Sequence, residues 1–110
     1  MPTVTLRVTP FSELIMHVIS RKALSQFWEL YPDSKNALSH WFNAMKKNNF
    51  YNFNELRATF PTADQVGDLM VFNIGGNKYR LIASIHFNRG KVYVRNVLTH
   101  QEYDKGAWKQ

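Results

Sequence analysis

Apolar residues recur along this chain with two periods. Leu24, Phe27, Trp28 and Tyr31 fall at i, i+3, i+4 and i+7, one helical stripe that Ser20 precedes and Pro32 ends. Ala37, Leu38, Trp41, Phe42 and Met45 form a second stripe behind Ser34, which is placed to cap it. Lys46 and Lys47 follow at the end where cations suit the helix dipole. Tyr31-Pro32-Asp33-Ser34 makes the two a helical hairpin. Trp28 and Trp41 lie within the apolar stripes and belong to the core. Residues 48–69 are polar and irregular, with a short helix expected over 54–60 that packs Leu56 and Phe60 inward.

From residue 70 to residue 100 the period shortens to two, and two turn signals divide the stretch into three strands. Gly75-Gly76, with Asn77 extending the signal, is a hairpin turn and pairs Phe72 with Tyr79. Turn chemistry alone leaves the second turn, Asn88-Arg89-Gly90, open between two registers. Burial decides: a two-residue Arg89-Gly90 loop pairs Phe87 with Val92 and keeps the faces distinct. Met70, Phe72, Tyr79, Leu81, Ala83, Ile85, Phe87, Val92, Val94 and Leu98 then share one apolar face for the helices to cover. The other carries Asn73, Lys78, Arg80, Ser84, His86, Tyr93, Arg95 and Thr99, with Ile82 and Val97 between them. An ordinary solvated sheet face mixes both charge signs. This one has cations and no carboxylate, which favours an anion-binding surface.

Composition and charge narrow the function. At 110 residues one domain is expected, and 45% hydrophobic residues give it a core. The absence of cysteine removes disulfides and thiolate metal sites and suits a reducing cytoplasm. No apolar run is long enough to span a membrane, and the first residues do not read as a signal peptide. The net charge of +6 points to a polyanionic partner, nucleic acid or the ribosome. His86 and His100 have no further ligand at metal spacing, so neither metal nor cofactor is expected. Residues 1–15 stand apart, with Pro10 and Ser12 breaking any strand; Met16 is the expected start of the working domain, residues 16–110, behind an extension at 1–15.

Four segments taken together, MHVISRKAL, FPTADQV, VFNIGGNKYRL and RNVLTHQEYD, resemble the HigB toxin family of the RelE superfamily, bacterial type II toxin–antitoxin mRNA interferases. The resemblance runs from Met16 to about Asp104. It implies an α+β, RelE-like fold with two N-terminal helices packed on one face of a small antiparallel sheet. It implies an endoribonuclease that enters the ribosomal A site and cuts translated mRNA without a metal. It further implies a HigA-like antitoxin with a helix-turn-helix domain, and a toxin–antitoxin complex that binds its own promoter. In that chemistry the RNA 2′-hydroxyl attacks the adjacent phosphate, cations neutralise the growing charge, and side chains move the protons. Arg80, in the YRL motif, matches the phosphate-contacting arginine, and Arg95 on the next strand is the second candidate. His100 is expected as general base or acid, Tyr103 to stack on or orient the nucleotide, and His86 as the alternative proton carrier. Asn73, Lys78, His86, Arg89, Lys91 and Tyr93 are expected to bind RNA. The competing reading for Arg80 is an ion pair with Glu102 or Asp104. The competing function is a non-catalytic module of the same fold that binds RNA, the ribosome or the antitoxin only.

Overall fold

The computed structural model describes residues 16–109; the expected extension at 1–15 lies outside the described residues. In chain order the elements are β1 (His17–Ile19), α1 (Arg21–Leu30), α2 (Lys35–Lys47), α3 (Phe53–Thr59), β2 (Asp64–Val66), β3 (Leu69–Ile74), β4 (Tyr79–His86), β5 (Lys91–Thr99) and α4 (His100–Lys105). The architecture is mixed α+β, with a five-stranded sheet in the order β1-β5-β4-β3-β2. The pairs within residues 64–99 are antiparallel. The sheet is not wholly so: β1 runs parallel to β5, with Val18 opposite Val92.

The two stripes bury what their spacing predicts. Leu24 and Phe27 of α1 and Leu38, Trp41 and Met45 of α2 share one core with Met70, Phe72, Ile74, Tyr79, Leu81, Ala83 and Val92 of the sheet. Trp41 meets Phe72 edge-on at 5.5 Å between ring centroids, and Phe60 meets it at 5.2 Å. Ser20 has an extended backbone but makes no side-chain cap. Ser34 does not cap α2 either. It sits in a 3-10 turn, Pro32–Ser34, is buried, and donates its hydroxyl to the Tyr31 carbonyl at 2.7 Å. By contrast, Asn52 caps α3, its Oδ1 accepting from the Glu55 N–H at 2.9 Å.

Both hairpins are two residues out of the expected register, and both keep the expected faces. Ile74 pairs with Tyr79 and Phe72 with Leu81, so the first turn centres on Gly76-Asn77. Lys78 N–H reaches the Gly75 carbonyl at 3.4 Å, and Gly75 and Gly76 both hold positive φ, at 63° and 70°. That conformation is open to glycine at little cost. The second connection is a 3-10 turn over Phe87–Arg89 closed by Gly90 at φ 64°, and Ile85 pairs with Val92. A shift of two residues preserves the alternation; a shift of one would have inverted it.

A bulge then inverts the end of β5. Ile82 pairs with Asn96 and Ala83 with Val94, leaving Arg95 as the extra residue. Beyond it Val97 packs with the main core, and Leu98 turns to the opposite face. This reverses the expected places of Val97 and Leu98. That opposite face is not open either. Val71 and Ile82 form a second core with Trp108, flanked by Val66, Leu69, Leu98 and Tyr103. The segment after β5 folds over it: α4, then a 3-10 turn Ala107–Lys109 that carries Trp108.

Candidate functional site

The residues with most chemistry converge on the first hairpin turn and the start of α4. Arg80, the second residue of β4, pairs across the sheet with Asn73 and with Leu98. Its side chain bends back to the turn. Nη1 donates to the Asn77 carbonyl at 3.3 Å and to the Tyr79 carbonyl at 3.1 Å, and Nη2 donates to Asn77 Oδ1. The guanidinium lies over the Tyr103 ring, 5.2 Å from its centroid. Arg80 is therefore 8% exposed, where an open face predicted a solvated side chain. It makes no ion pair with Glu102 or Asp104; bonding is to amide oxygens, so its charge is not neutralised.

Tyr103 is held in turn by Trp108. The rings stack at 5.0 Å with 11° between planes, and Trp108 Nε1 donates to the Tyr103 carbonyl at 2.9 Å. Arginine, tyrosine and tryptophan thus form a layered stack, with Lys109 5.6 Å from the Trp108 ring on its own account. Such a stack fixes the guanidinium plane, which a flexible lysine could not reproduce.

His100 opens α4. Thr99 caps that helix in a full capping box: its Oγ1 accepts from the Glu102 N–H at 3.2 Å, and Glu102 Oε1 accepts from the Thr99 N–H at 2.9 Å. The His100 backbone N–H donates to the Lys78 carbonyl at 3.2 Å, which ties the helix start to the turn. The imidazole Nδ1 lies 2.9 Å from Asp104 Oδ2, one helical turn on. That contact makes Nδ1 a donor to Asp104 and leaves Nε2 as the ring nitrogen not engaged by it.

Lys78 and Tyr79 meet a carboxylate that the sheet face alone does not contain. Asp33, in the turn between α1 and α2, takes a salt bridge from Lys78 Nζ at 2.7 Å and a hydrogen bond from the Tyr79 hydroxyl at 2.6 Å. Hydrogen bonding to Lys78 first, and to Tyr79 second, holds the Asp33 carboxyl below its usual range. The Asp33 carboxylate pushes the Tyr79 phenol up to about 12. The face is therefore cationic but not free of acidic neighbours.

The other predicted residues lie elsewhere. Asn73 is exposed on the strand beside Arg80. His86 and Lys91 pair at the far end of β4, roughly 20 Å from Arg80 along the strand, with Arg89 in the adjoining turn. Tyr93 meets His86 edge-on at 5.3 Å. Arg95 is exposed on the bulge, beside a shallow groove lined by Ala23, Phe27 and Leu30 of α1, and is not gathered with Arg80. Sequence reading did not foresee Asp33 or Trp108 here, and it named Asn77 and Asp104 without their contacts to Arg80 and His100. Of these, only Asp104 carried a readable signal, its i+4 spacing from His100 on a capped helix.

Among the described residues no group of three or more His, Cys, Asp or Glu side chains is placed to hold a metal, and no helix is long and apolar enough to cross a membrane.

With this geometry in place, comparison with known proteins gives one consistent result. A family model described as HigB toxin, the RelE-like toxic component of a toxin–antitoxin system, matches residues 34–106. The mRNA interferase toxin HigB of Escherichia coli (strain K12) is 41% identical over 92 residues, 81% of this chain and 88% of that protein. The mRNA interferase HigB of Shigella flexneri matches with the same figures. An mRNA interferase HigB of Escherichia coli O6:H1 is 32% identical over 93 residues, 82% of this chain and 90% of its own length. The mixed α+β architecture is consistent with the RelE-like fold. The match reaches the first hairpin turn, Arg80 and the THQEYD segment alike, and the chain belongs to the HigB toxin family, the RelE-like toxic components of toxin–antitoxin systems.

Proposed function

We propose that this protein is an mRNA interferase, a cytoplasmic endoribonuclease that cuts messages while they are translated. The observation that carries the reading is the convergence of Arg80 and His100 on one turn: Asn77 accepts from the guanidinium, and Lys78 accepts from the His100 N–H. A fixed cation and a proton acceptor, carried on elements that meet at one turn, are the groups metal-free RNA cleavage needs. In this scheme Nε2 of His100 takes the proton of the 2′-hydroxyl while Asp104 steadies Nδ1. The 2′ oxygen bonds to phosphorus as the bond to the 5′ oxygen breaks, and solvent water protonates the leaving 5′ oxygen, giving a 2′,3′-cyclic phosphate and a new 5′-hydroxyl end. Arg80, whose fork matches two phosphate oxygens, stabilises the charge that grows on them. Tyr103 orients that fork from below. Asn73 and Lys78 flank the scissile phosphate. His86, Arg89, Lys91 and Tyr93 contact RNA at the other end of the strand pair, and Arg95 contacts it from the bulge.

Of the two reacting side chains, Arg80 is largely buried against the turn and Tyr103, and His100 is partly exposed at the start of α4. In this reading the substrate is already positioned by another body, the ribosomal A site. The neutralising partner is an antitoxin of the helix-turn-helix, HigA-like kind, and the pair binds its own promoter.

The test is the mapping of new 5′ ends on a translated message, with wild type beside Arg80→Ala and His100→Ala. Wild type is expected to produce cuts within codons, and both variants are expected to lose them by on the order of a hundredfold or more. Removing the buried Arg80 side chain also costs roughly 1–3 kcal/mol of stability through its lost amide bonds, so each variant is compared below its own Tm. Ribosome binding by wild type without any new 5′ end would mark a non-catalytic module instead.

A further inference from the structure

The turn that gathers Arg80 and His100 is itself anchored from behind. We infer that Asp33 is a positioning residue of the cleavage site: it holds the Lys78–Tyr79 backbone from the helical side, and so aims three successive carbonyls at Arg80 and His100. This rests on the reading of Arg80 and His100 as the reacting pair. The carbonyls of Asn77 and Tyr79 accept from Arg80 Nη1, and the carbonyl of Lys78 between them accepts from the His100 N–H. The side chains of the same two residues, Lys78 and Tyr79, both end on Asp33.

The two contacts to Asp33 are unequal. Lys78 and Asp33 have side chains 64% and 50% exposed, and an exposed ion pair contributes little. The phenol contact is short, charge-assisted and made by a buried ring. That ring is wedged edge-on against Phe27 at 5.3 Å and lies 5.6 Å from Tyr31. The Asp33 side chain is half exposed, but its backbone is anchored by its neighbours. The next residue, Ser34, is buried and bonded to Tyr31, and Tyr31 stacks on Phe27 at 4.7 Å. Tyr79 is thus the peg, and Asp33 the group that stops it rotating about its strand. Lys78 keeps its freedom to swing to a phosphate.

The experiment uses Asp33→Ala, Asp33→Asn and Tyr79→Phe in the full chain, with two readouts. The first is cleavage of programmed ribosomes, with kcat and KM separated. The second, independent of RNA, is the exchange rate of the Arg80 guanidinium protons by nitrogen-15 NMR in the free protein. Asp33→Ala and Tyr79→Phe are expected to lower kcat on the order of ten- to a hundredfold with little change in KM, and to speed guanidinium exchange. Asp33→Asn, which keeps an acceptor for Tyr79, is expected to recover most of both. A folded Asp33→Ala with wild-type kcat and wild-type exchange overturns the inference, as does an Asn variant no better than Ala. If Asp33→Ala does not fold, Tyr79→Phe carries the same comparison. If wild type cuts nothing, the cleavage reading falls by itself, and the guanidinium exchange still decides whether Asp33 holds Arg80.

Discussion

Arg80 was visible in the sequence as a cation in a strand, but its environment was not. Its neighbour Asn77 lies three positions before it, Tyr103 and Trp108 lie 23 and 28 positions further on, and no periodicity connects them. The consequence is a guanidinium held in one orientation by the turn and the Tyr103 ring. Tyr79 shows the same layering of roles. Alternation correctly assigned its ring to the core, yet its hydroxyl reaches a carboxylate between two helices. This bond has a pH signature. The folded-state phenol is raised from 10.0 to about 12, so its contribution is fully present below pH 10 and is lost as pH climbs through 12. The Tm difference between wild type and Tyr79→Phe is expected to be flat below pH 10 and to close between pH 10 and about 12. Asp33, held low, has the opposite window: its contribution is present above pH 3.8 and fades as pH falls below that value.

At the scale of elements, periodicity gave α1, α2 and β3 to β5 because burial imposes it; it missed the short β2, Asp64–Val66, inside the polar stretch 48–69, and failed where single residues overrule burial. The Gly75–Lys78 turn lies one residue further along than the glycine pair suggests, because Asn77 shares the turn and bonds Arg80. The bulge at Arg95 has no composition of its own, and it alone moves Val97 and Leu98 across the sheet. The tail beyond Thr99 is too short for a pattern, so its helix went unread, although Thr99 and Glu102 stand at capping-box spacing. That cap sets how His100 and Tyr103 project. Thr99→Ala is expected to cost about 1 kcal/mol, a Tm drop of about 4–8 °C. It is also expected to lower cleavage at temperatures where the variant remains folded. Thermal unfolding and 5′-end mapping on the same preparation check the two halves.

Taken as a whole, the molecule divides its sheet unequally. The α1 and α2 side takes the larger core; the other takes a small one under Trp108 and leaves the polar groups along the rim. The sequence predicted the sides but not the lid, which is why the cationic surface is narrower than the alternation implied. The net charge of +6 remains the long-range attraction. Affinity for programmed ribosomes is expected to fall linearly on a log–log plot against salt. Arg80→Ala is expected to reduce the slope by about one phosphate contact, and Arg89→Ala by a similar step. Equilibrium binding across a salt series measures both.

The parallel pairing of β1 with β5 has a consequence for the cell that makes this protein. Synthesis delivers His17–Ile19 first and Lys91–Thr99 near the end, and the edge of the sheet closes only when the two meet. The groups that carry the proposed chemistry lie later still, at His100 and Tyr103. A growing chain that has not reached these residues therefore holds an incomplete sheet and no aromatic stack against Arg80. On the proposed chemistry, a chain that ends at Thr99 lacks both His100 and Tyr103 and is expected to cut no message.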